Sequence, residues 1–233
     1  MTSIKLQPQA MLQFLENLAA NNTKTWMDEH RTEYQELRAG LVQIATEIHA
    51  EMLGLDPTLL HMDPRKSLFR INRDIRFSNN KQPYKTHMGS KMSPNGQKKG
   101  IAGYGFGISA NGHIYIMGGI NKLPTPQLNQ IRDGIIHERS PLLKVFKSKN
   151  MTDNFEISDL GFGKLKTVPR GYAKDHPEAG LLKLQAYWAM QRVGVKAQSH
   201  DQIKKLVLEQ FEHLIPMVRE INQLISTEAI ARS

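Results

Sequence analysis

The 233-residue chain contains no cysteine. Disulfide frameworks, thiolate nucleophiles and zinc–thiolate centres are thereby excluded. Long hydrophobic runs are absent too: nothing approaches the roughly 20 apolar residues that span a bilayer. The N-terminal segment also lacks the basic stretch and apolar core of a secretion signal. A cytoplasmic protein with no membrane partner is the expectation. Metal-site spacing is missing as well. The nine histidines form no H-x-x-x-H, H-E-x-x-H or H-x-H pattern, so no metal ligand is assigned. No G-x-x-x-x-G-K-[ST] loop exists to cradle a nucleotide. Ser78, Ser93 and Ser109 lack the strand–turn–helix context of a nucleophile elbow.

What the chain does have is positive charge, 31 Lys and Arg against 22 Asp and Glu, or +9. Such a balance admits an acidic partner but says nothing of fold. Hydrophobic residues at 39% and charged residues at 23% are those of an ordinary globular domain. The length suffices for a core without staples.

Hydrophobic periodicity divides the chain into four parts. Residues 8–54 read as helical. Ala10, Leu12, Phe14, Leu15, Leu18 and Ala19 share a face after Pro8, and "NNT" at 21–23 offers caps to a helix entering at Lys24. From there Trp26, Tyr34, Leu37, Leu41, Ile44, Ile48 and Met52 form one stripe, with Trp26 and Tyr34 expected in the core. Residues 66–120 read as sheet. Residues 67–78 alternate as a strand, and "SPNGQKKG" at 93–100 is a turn or loop. Asn111-Gly112 predicts a two-residue type I′ hairpin that pairs Ala110 with His113 and Ile108 with Tyr115. Gly103, Gly105 and Gly107 leave one face of that hairpin bare, which predicts close approach of another element or of a ligand, a packed helix being the simplest.

Residues 125–195 are mixed. A capped helix at 125–139 turns Leu128, Ile131, Ile135 and Ile136 inward, and a short strand is expected at 154–159. Pro177 starts a helix capped by Asp175 or His176, and 186–193 has the composition of a buried strand or an element edge. Residues 199–230 form a last helix, opened by Ser199 and Asp201 and kinked or divided at Pro216. The expected fold is a single α+β domain. Its central, mostly antiparallel sheet carries the Asn111-Gly112 hairpin and is flanked by N-terminal and C-terminal helices.

The most peculiar stretch is "RINRDIRFSNNKQPYK", residues 70–85, with five cationic side chains and one aspartate in sixteen positions. As a regular strand it would place Phe69, Ile71, Ile75 and Phe77 on one face, and Arg73 would fall among them. A buried arginine cannot shed its proton and so requires a carboxylate, carbonyls or an anionic ligand. A bulge near Asn72 would instead return Arg73 to the polar face.

Three readings follow. In the first, Arg70, Arg73, Arg76, Lys81, Lys85 and Arg170 converge on a concave pocket for a small phosphorylated or carboxylated ligand, because guanidinium forks match both groups bidentately. Asp74, Tyr84 or His176 would then be available for proton transfer, with Arg73 close to the 169–176 loop. In the second, Lys81, Lys85, Lys91, Lys98 and Lys99 bind nucleic acid through its phosphates. Exposed aromatics are scarce around those lysines, which argues against single-strand stacking. In the third, the arginines form a structural network with Asp74 in a protein-interaction domain. Asp175-His176 is the best-placed acid–base pair, yet both residue types are common at helix entries. No cofactor and no oligomeric state can be read from the chain.

The pattern R-x-x-R-D-x-R-F-S-x-x-K-x-P-Y-K from Arg70 to Lys85 resembles the signature of a bacterial and fungal family of uncharacterised proteins, domain-of-unknown-function family 2461. "NNTKTW" (Asn21 to Trp26), "IRDGI" (Ile131 to Ile135) and "PRGYAKDHP" (Pro169 to Pro177) occur in that family's order. The resemblance implies an α+β domain and transfers no catalytic role to any residue. Two positions depart from it: Met27, where an aromatic is usual, and Asn80, where an aspartate is common. The second change weakens any scheme that makes position 80 an acid or a metal ligand.

Overall fold

Proline has no N–H to leave unpaired in the first turn of a helix, and Pro8 opens α1 (Pro8–Ala20). Met11, Phe14, Leu15 and Leu18 recur at helical spacing, and all four are fully buried. The computed structural model describes residues 4–96, 100–137, 140–195 and 198–231. Thr23 caps α2 (Lys24–Glu29), its hydroxyl accepting from the Trp26 N–H at 3.3 Å.

The single helix expected from Lys24 is broken at His30, and α3 (Arg31–Leu55) carries the remainder. The break has a local cause. The His30 ring stacks on Trp26 at 3.9 Å, and its Nδ1 hydrogen-bonds the Trp26 carbonyl at 2.8 Å, ending α2 there. Trp26 and Tyr34, expected in the core, are only half-buried, and Met27 takes the core position in that turn.

The protein is α+β. One antiparallel sheet of five strands has the order β1-β2-β3-β5-β4. Its strands are β1 (His87–Met92), β2 (Gly103–Ser109), β3 (His113–Ile120), β4 (Glu156–Ser158) and β5 (Tyr187–Gly194). The chain packs as two units. The first comprises Met1–Met92, Gly105–Ile116 and Arg192–Gln210, and the second Ser93–Tyr104, Met117–Gln191 and Phe211–Ser233.

In the first unit α3 packs on α1 and β1. His200 ties three segments together, accepting from the Leu6 N–H at Nδ1 (2.9 Å) and hydrogen-bonding Glu47 from Nε2 (2.9 Å). Burial alone would raise the Glu47 carboxyl, but the bonds from His200 and Gln43 hold it below its ordinary value. The last helix, α8 (His200–Ala231), begins with a reciprocal capping box. The Ser199 hydroxyl accepts from the Gln202 N–H at 3.3 Å, and the Gln202 side chain accepts from the Ser199 N–H at 2.8 Å. Of the two outcomes expected at Pro216, division does not occur: α8 runs through it as one helix.

Residues 67–78 are not a strand. They pair with the following segment only through isolated antiparallel bridges, Leu68 with Ser90 and Asn72 with Tyr84. Tyr84 to Ser90 is longer by two residues than Leu68 to Asn72, so the irregularity sits opposite the place where a bulge was expected. Of the expected apolar row Ile71 alone is buried, while Phe77 is 96% exposed.

The hairpin is also one residue off. The loop holds three residues, 110–112, between strand ends Ser109 and His113, with the Gly112 N–H donating to the Ser109 carbonyl at 3.1 Å. Gly112 has φ +77°, whereas Asn111 is not at positive φ. A type I turn followed by a left-handed glycine accounts for both observations. The slip exchanges faces and brings Tyr115 level with Gly107. A Cβ on Gly107 would strike the Met88 carbonyl and the Tyr115 hydroxyl, and one on Gly89 would strike that hydroxyl and the Phe106 carbonyl. Thus the element that needs the bare backbone at Gly107 is the Tyr115 ring, not a helix.

In the second unit, α4 (Thr125–Ile136) buries Leu128, Ile131 and Ile135 but leaves Ile136 exposed, and no side chain caps it. Ser140 caps α5 (Pro141–Phe146) and Ser148 caps α6 (Lys149–Asn154). The short α7 (Ala179–Leu182) starts two residues later than Pro177 suggested.

Replacing Gly107 with alanine is expected to destabilise the protein by about 1–3 kcal/mol through overpacking. By contrast, Tyr115→Phe should raise stability by about 1 kcal/mol, since the Tyr115 hydroxyl is buried with no hydrogen-bond partner among the described residues and such burial is costly. Urea denaturation of both variants checks the pair; equal stability of wild type and Gly107→Ala would contradict the packing described.

Candidate anion-binding loop

The Arg70–Lys85 segment folds back on itself, and its own cations close it. At the neck, the Arg73 N–H donates to the Pro83 carbonyl at 2.8 Å and the Lys85 N–H to the Ile71 carbonyl at 2.8 Å. The Arg73 guanidinium crosses the loop, donating from Nη1 to the Gln82 carbonyl (3.1 Å) and from Nη2 to the Ser78 hydroxyl (3.4 Å). Lys81 Nζ donates to the Ile75 carbonyl at 3.3 Å, and Lys85 Nζ to the Arg70 carbonyl at 2.6 Å. Carbonyls orient these cations without neutralising them, because they carry no formal charge.

Asp74, the segment's one carboxylate, is committed within its own turn. It accepts from Arg76 Nε at 2.9 Å, Nη2 at 2.7 Å and the Arg76 N–H at 3.3 Å. Those bonds lower its carboxyl to about 2. The Arg70 side chain makes no hydrogen bond or ion pair among the described residues and is exposed, as are Arg76 and Lys81. Burial and the nearby Arg70 charge lower the Lys85 ammonium, and burial together with Lys85 lowers His87. The neighbourhood therefore resists additional positive charge.

Arg73 is half-buried and hydrogen-bonded to neutral oxygens, so it is neither the buried arginine expected nor part of an Arg–Asp network. Among the described residues the buried arginine is Arg132 on α4, 3% exposed. It donates to the Leu182 carbonyl (2.9 Å), the Leu184 carbonyl (3.1 Å) and Asn129 Oδ1 (2.9 Å), fastening the C-terminal end of α7. Sequence reading passed over it because it lies on a helix with an unremarkable apolar stripe. The "IRDGI" resemblance was the signal that would have found it.

Asn22 is a second functional-looking residue whose role becomes plain only in the fold. Its side chain clamps the backbone of Tyr84, donating to the Tyr84 carbonyl (3.1 Å) and accepting from the Tyr84 N–H (3.0 Å). "NNTKTW" and the Arg70–Lys85 pattern are thus two halves of one arrangement. In the second unit "IRDGI" and "PRGYAKDHP" are joined likewise: the Tyr172 hydroxyl donates to Asp133 at 2.8 Å. Burial, with Asp133 adding to it, pushes Tyr172 up to about 12.

The structure distributes the remaining candidates as follows. Tyr84 is buried at 5% exposure behind the Asn22 clamp. Arg170 and His176 belong to the second unit. Arg170 is exposed, and His176 Nδ1 accepts from the Glu178 N–H at 3.0 Å, a local turn bond rather than a cap on α7. Asp74 and His176 are thus each engaged within their own turns, whereas Tyr84 is held through its backbone by Asn22. Lys91 is half-buried, its ammonium lowered by burial, while Lys98 and Lys99 lie outside the described residues. Two surface hollows of the first unit, one beside Leu60, Met62 and Arg65 and the other beside Lys5, Glu33 and Glu36, include none of the predicted binding residues. Among the described residues no group of three or more His, Asp or Glu side chains is placed to hold a metal. No helix there is long and apolar enough to cross a membrane.

An α+β protein with a self-braced basic loop is the class that fold and site define. Residues 10–219 match the family of conserved hypothetical proteins designated DUF2461, and the chain belongs to that family. No curated protein and no solved structure matches it.

The two arginines predict different costs. Arg132→Ala should destabilise by about 3 kcal/mol or more, since two buried carbonyls lose their donors. Arg73→Ala, at a half-exposed site, should cost about 1 kcal/mol while making residues 74–82 sensitive to limited proteolysis. Equal losses from the two substitutions in thermal or urea unfolding would contradict this assignment.

Proposed function

We propose that the Arg70–Lys85 loop binds a small phosphorylated or carboxylated anion. One observation carries the reading: Arg73, Lys81 and Lys85 donate to backbone carbonyls, while the loop's single carboxylate is occupied by Arg76. The positive charge of the loop is thus oriented but not cancelled. An anion arriving there meets donors whose geometry is already set, which lowers the ordering cost of binding. Arg70 is the natural first contact, because its guanidinium is exposed and matches phosphate or carboxylate bidentately. The reading assigns binding and no reaction.

Pyrophosphate, a sugar phosphate and a dicarboxylate, each compared with chloride at matched ionic strength, test it. Binding to the native state alone stabilises by RT ln(1 + [L]/Kd), about 2.7 kcal/mol at a hundredfold excess over Kd. We expect at least one of the three to raise Tm, and Arg70→Glu to abolish that rise without lowering the Tm of the free protein. A flat response, or the same rise in Arg70→Glu, overturns the reading.

A further inference from the structure

Phe77 has the largest exposure of any large apolar side chain described, 96%. Its position makes this more than the scattered surface apolarity common to all proteins. It lies in the turn closed by the Ser78 N–H on the Ile75 carbonyl at 3.3 Å, inside the loop braced by Arg73 and Lys81. The Arg76 guanidinium sits over its ring, 5.8 Å from the centroid, and is itself pinned bidentately by Asp74. The ring is thereby held out from the surface by a fixed neighbour, with almost all of its area open.

Arg76 beside the ring is paired with Asp74, but Arg70 and Lys81 on the same loop are not neutralised, and an aromatic face on such a loop is suited to receive unpaired bases. Stacking supplies sequence-tolerant affinity, and the cations follow the phosphates. Its chain neighbours Arg76, Ser78, Asn79 and Asn80 are all polar, and Ile75, which opens the turn, is half-buried. A bilayer-seeking tip would present several apolar side chains, and an apolar protein groove would do the same. The exposed aromatic that the lysine distribution did not reveal is therefore at the centre of the loop.

We propose that this loop binds single-stranded nucleic acid, a base stacking on Phe77 while Arg70 and Lys81 contact neighbouring phosphates. The proposal rests on the anion-binding reading of the same loop and names its ligand class.

The test compares a labelled short oligothymidylate, an abasic oligomer of equal length, a duplex, and vesicles containing anionic lipid. Pyrophosphate is titrated in parallel. The oligothymidylate is expected to bind more tightly than the abasic oligomer, and Phe77→Ala to weaken it about tenfold or more. Pyrophosphate binding should be unchanged in that variant, since the ring takes no part in phosphate contact. In Phe77→Trp the oligothymidylate should still bind and should quench the new indole, a direct readout of stacking. Affinity should fall as salt rises, with a slope of about −0.7 per phosphate contact.

Several results overturn the proposal: oligothymidylate and abasic oligomer binding alike, Phe77→Ala binding as wild type, or no quenching in Phe77→Trp. Preference for the duplex or for the vesicles also overturns it, in the latter case assigning the loop to a membrane surface. If pyrophosphate binds and the oligomers do not, this proposal fails and the anion-binding reading stands. If neither binds, both fail.

Discussion

One guanidinium laid across the neck of a loop organises the Arg70–Lys85 segment of the first unit. Arg73 gives its backbone N–H to Pro83 and its side chain to Gln82 and Ser78. Residues 74–82 contain no regular ladder, and of their two apolar side chains Ile75 is half-buried and Phe77 exposed, so the fold-back depends on that crossing together with the Lys81 bond to the Ile75 carbonyl. The crossing uses neutral oxygens as acceptors. Each cation that braces the loop through such an acceptor therefore keeps its charge. The residue pattern set a structural Arg73 against a ligand-binding one, and its hydrogen bonds to Gln82 and Ser78 show the bracing role.

The framework behind the loop is built with equal economy. Asn22 satisfies both backbone groups of Tyr84, so the helical entry and the loop exit are joined through a single amide side chain. Beneath them, Gly89 and Gly107 leave room for the Tyr115 ring to lie on the strands. In the second unit Arg132 does for α7 what a longer helix would do for itself, supplying donors to carbonyls that a four-residue helix cannot pair internally.

Much of this was legible in the residues. Helical periodicity with Pro8, Thr23 and Ser199 located α1, the start of α2 and the start of α8. Alternation and composition located β4 and β5. Where reading failed, tertiary context was the competitor. Residues 67–78 have the alternation of a strand, but two extra residues opposite them prevent a regular ladder, and Phe77 ends in solvent instead of the core. The hairpin was predicted at the right place with the wrong loop length, because Asn-Gly suits both a two-residue type I′ turn and a three-residue loop with one left-handed glycine. Only packing of Tyr115 over Gly107 distinguishes them. Alternation placed Arg73 either in the core or, with a bulge, on the polar face; the arginine that is buried is Arg132, where helix periodicity gives no hint of carbonyl partners 50 and 52 residues along the chain.

The account stands or falls on whether the loop is formed before any ligand arrives and is the place where anions act. Amide resonances of the 15N-labelled protein, followed while pyrophosphate is added at constant ionic strength, address both points. The account predicts slow hydrogen exchange at the Arg73 and Lys85 amides in the free protein, with shifts on titration concentrated within residues 70–85. Rapid exchange at those two amides, or shifts that map elsewhere, would contradict it.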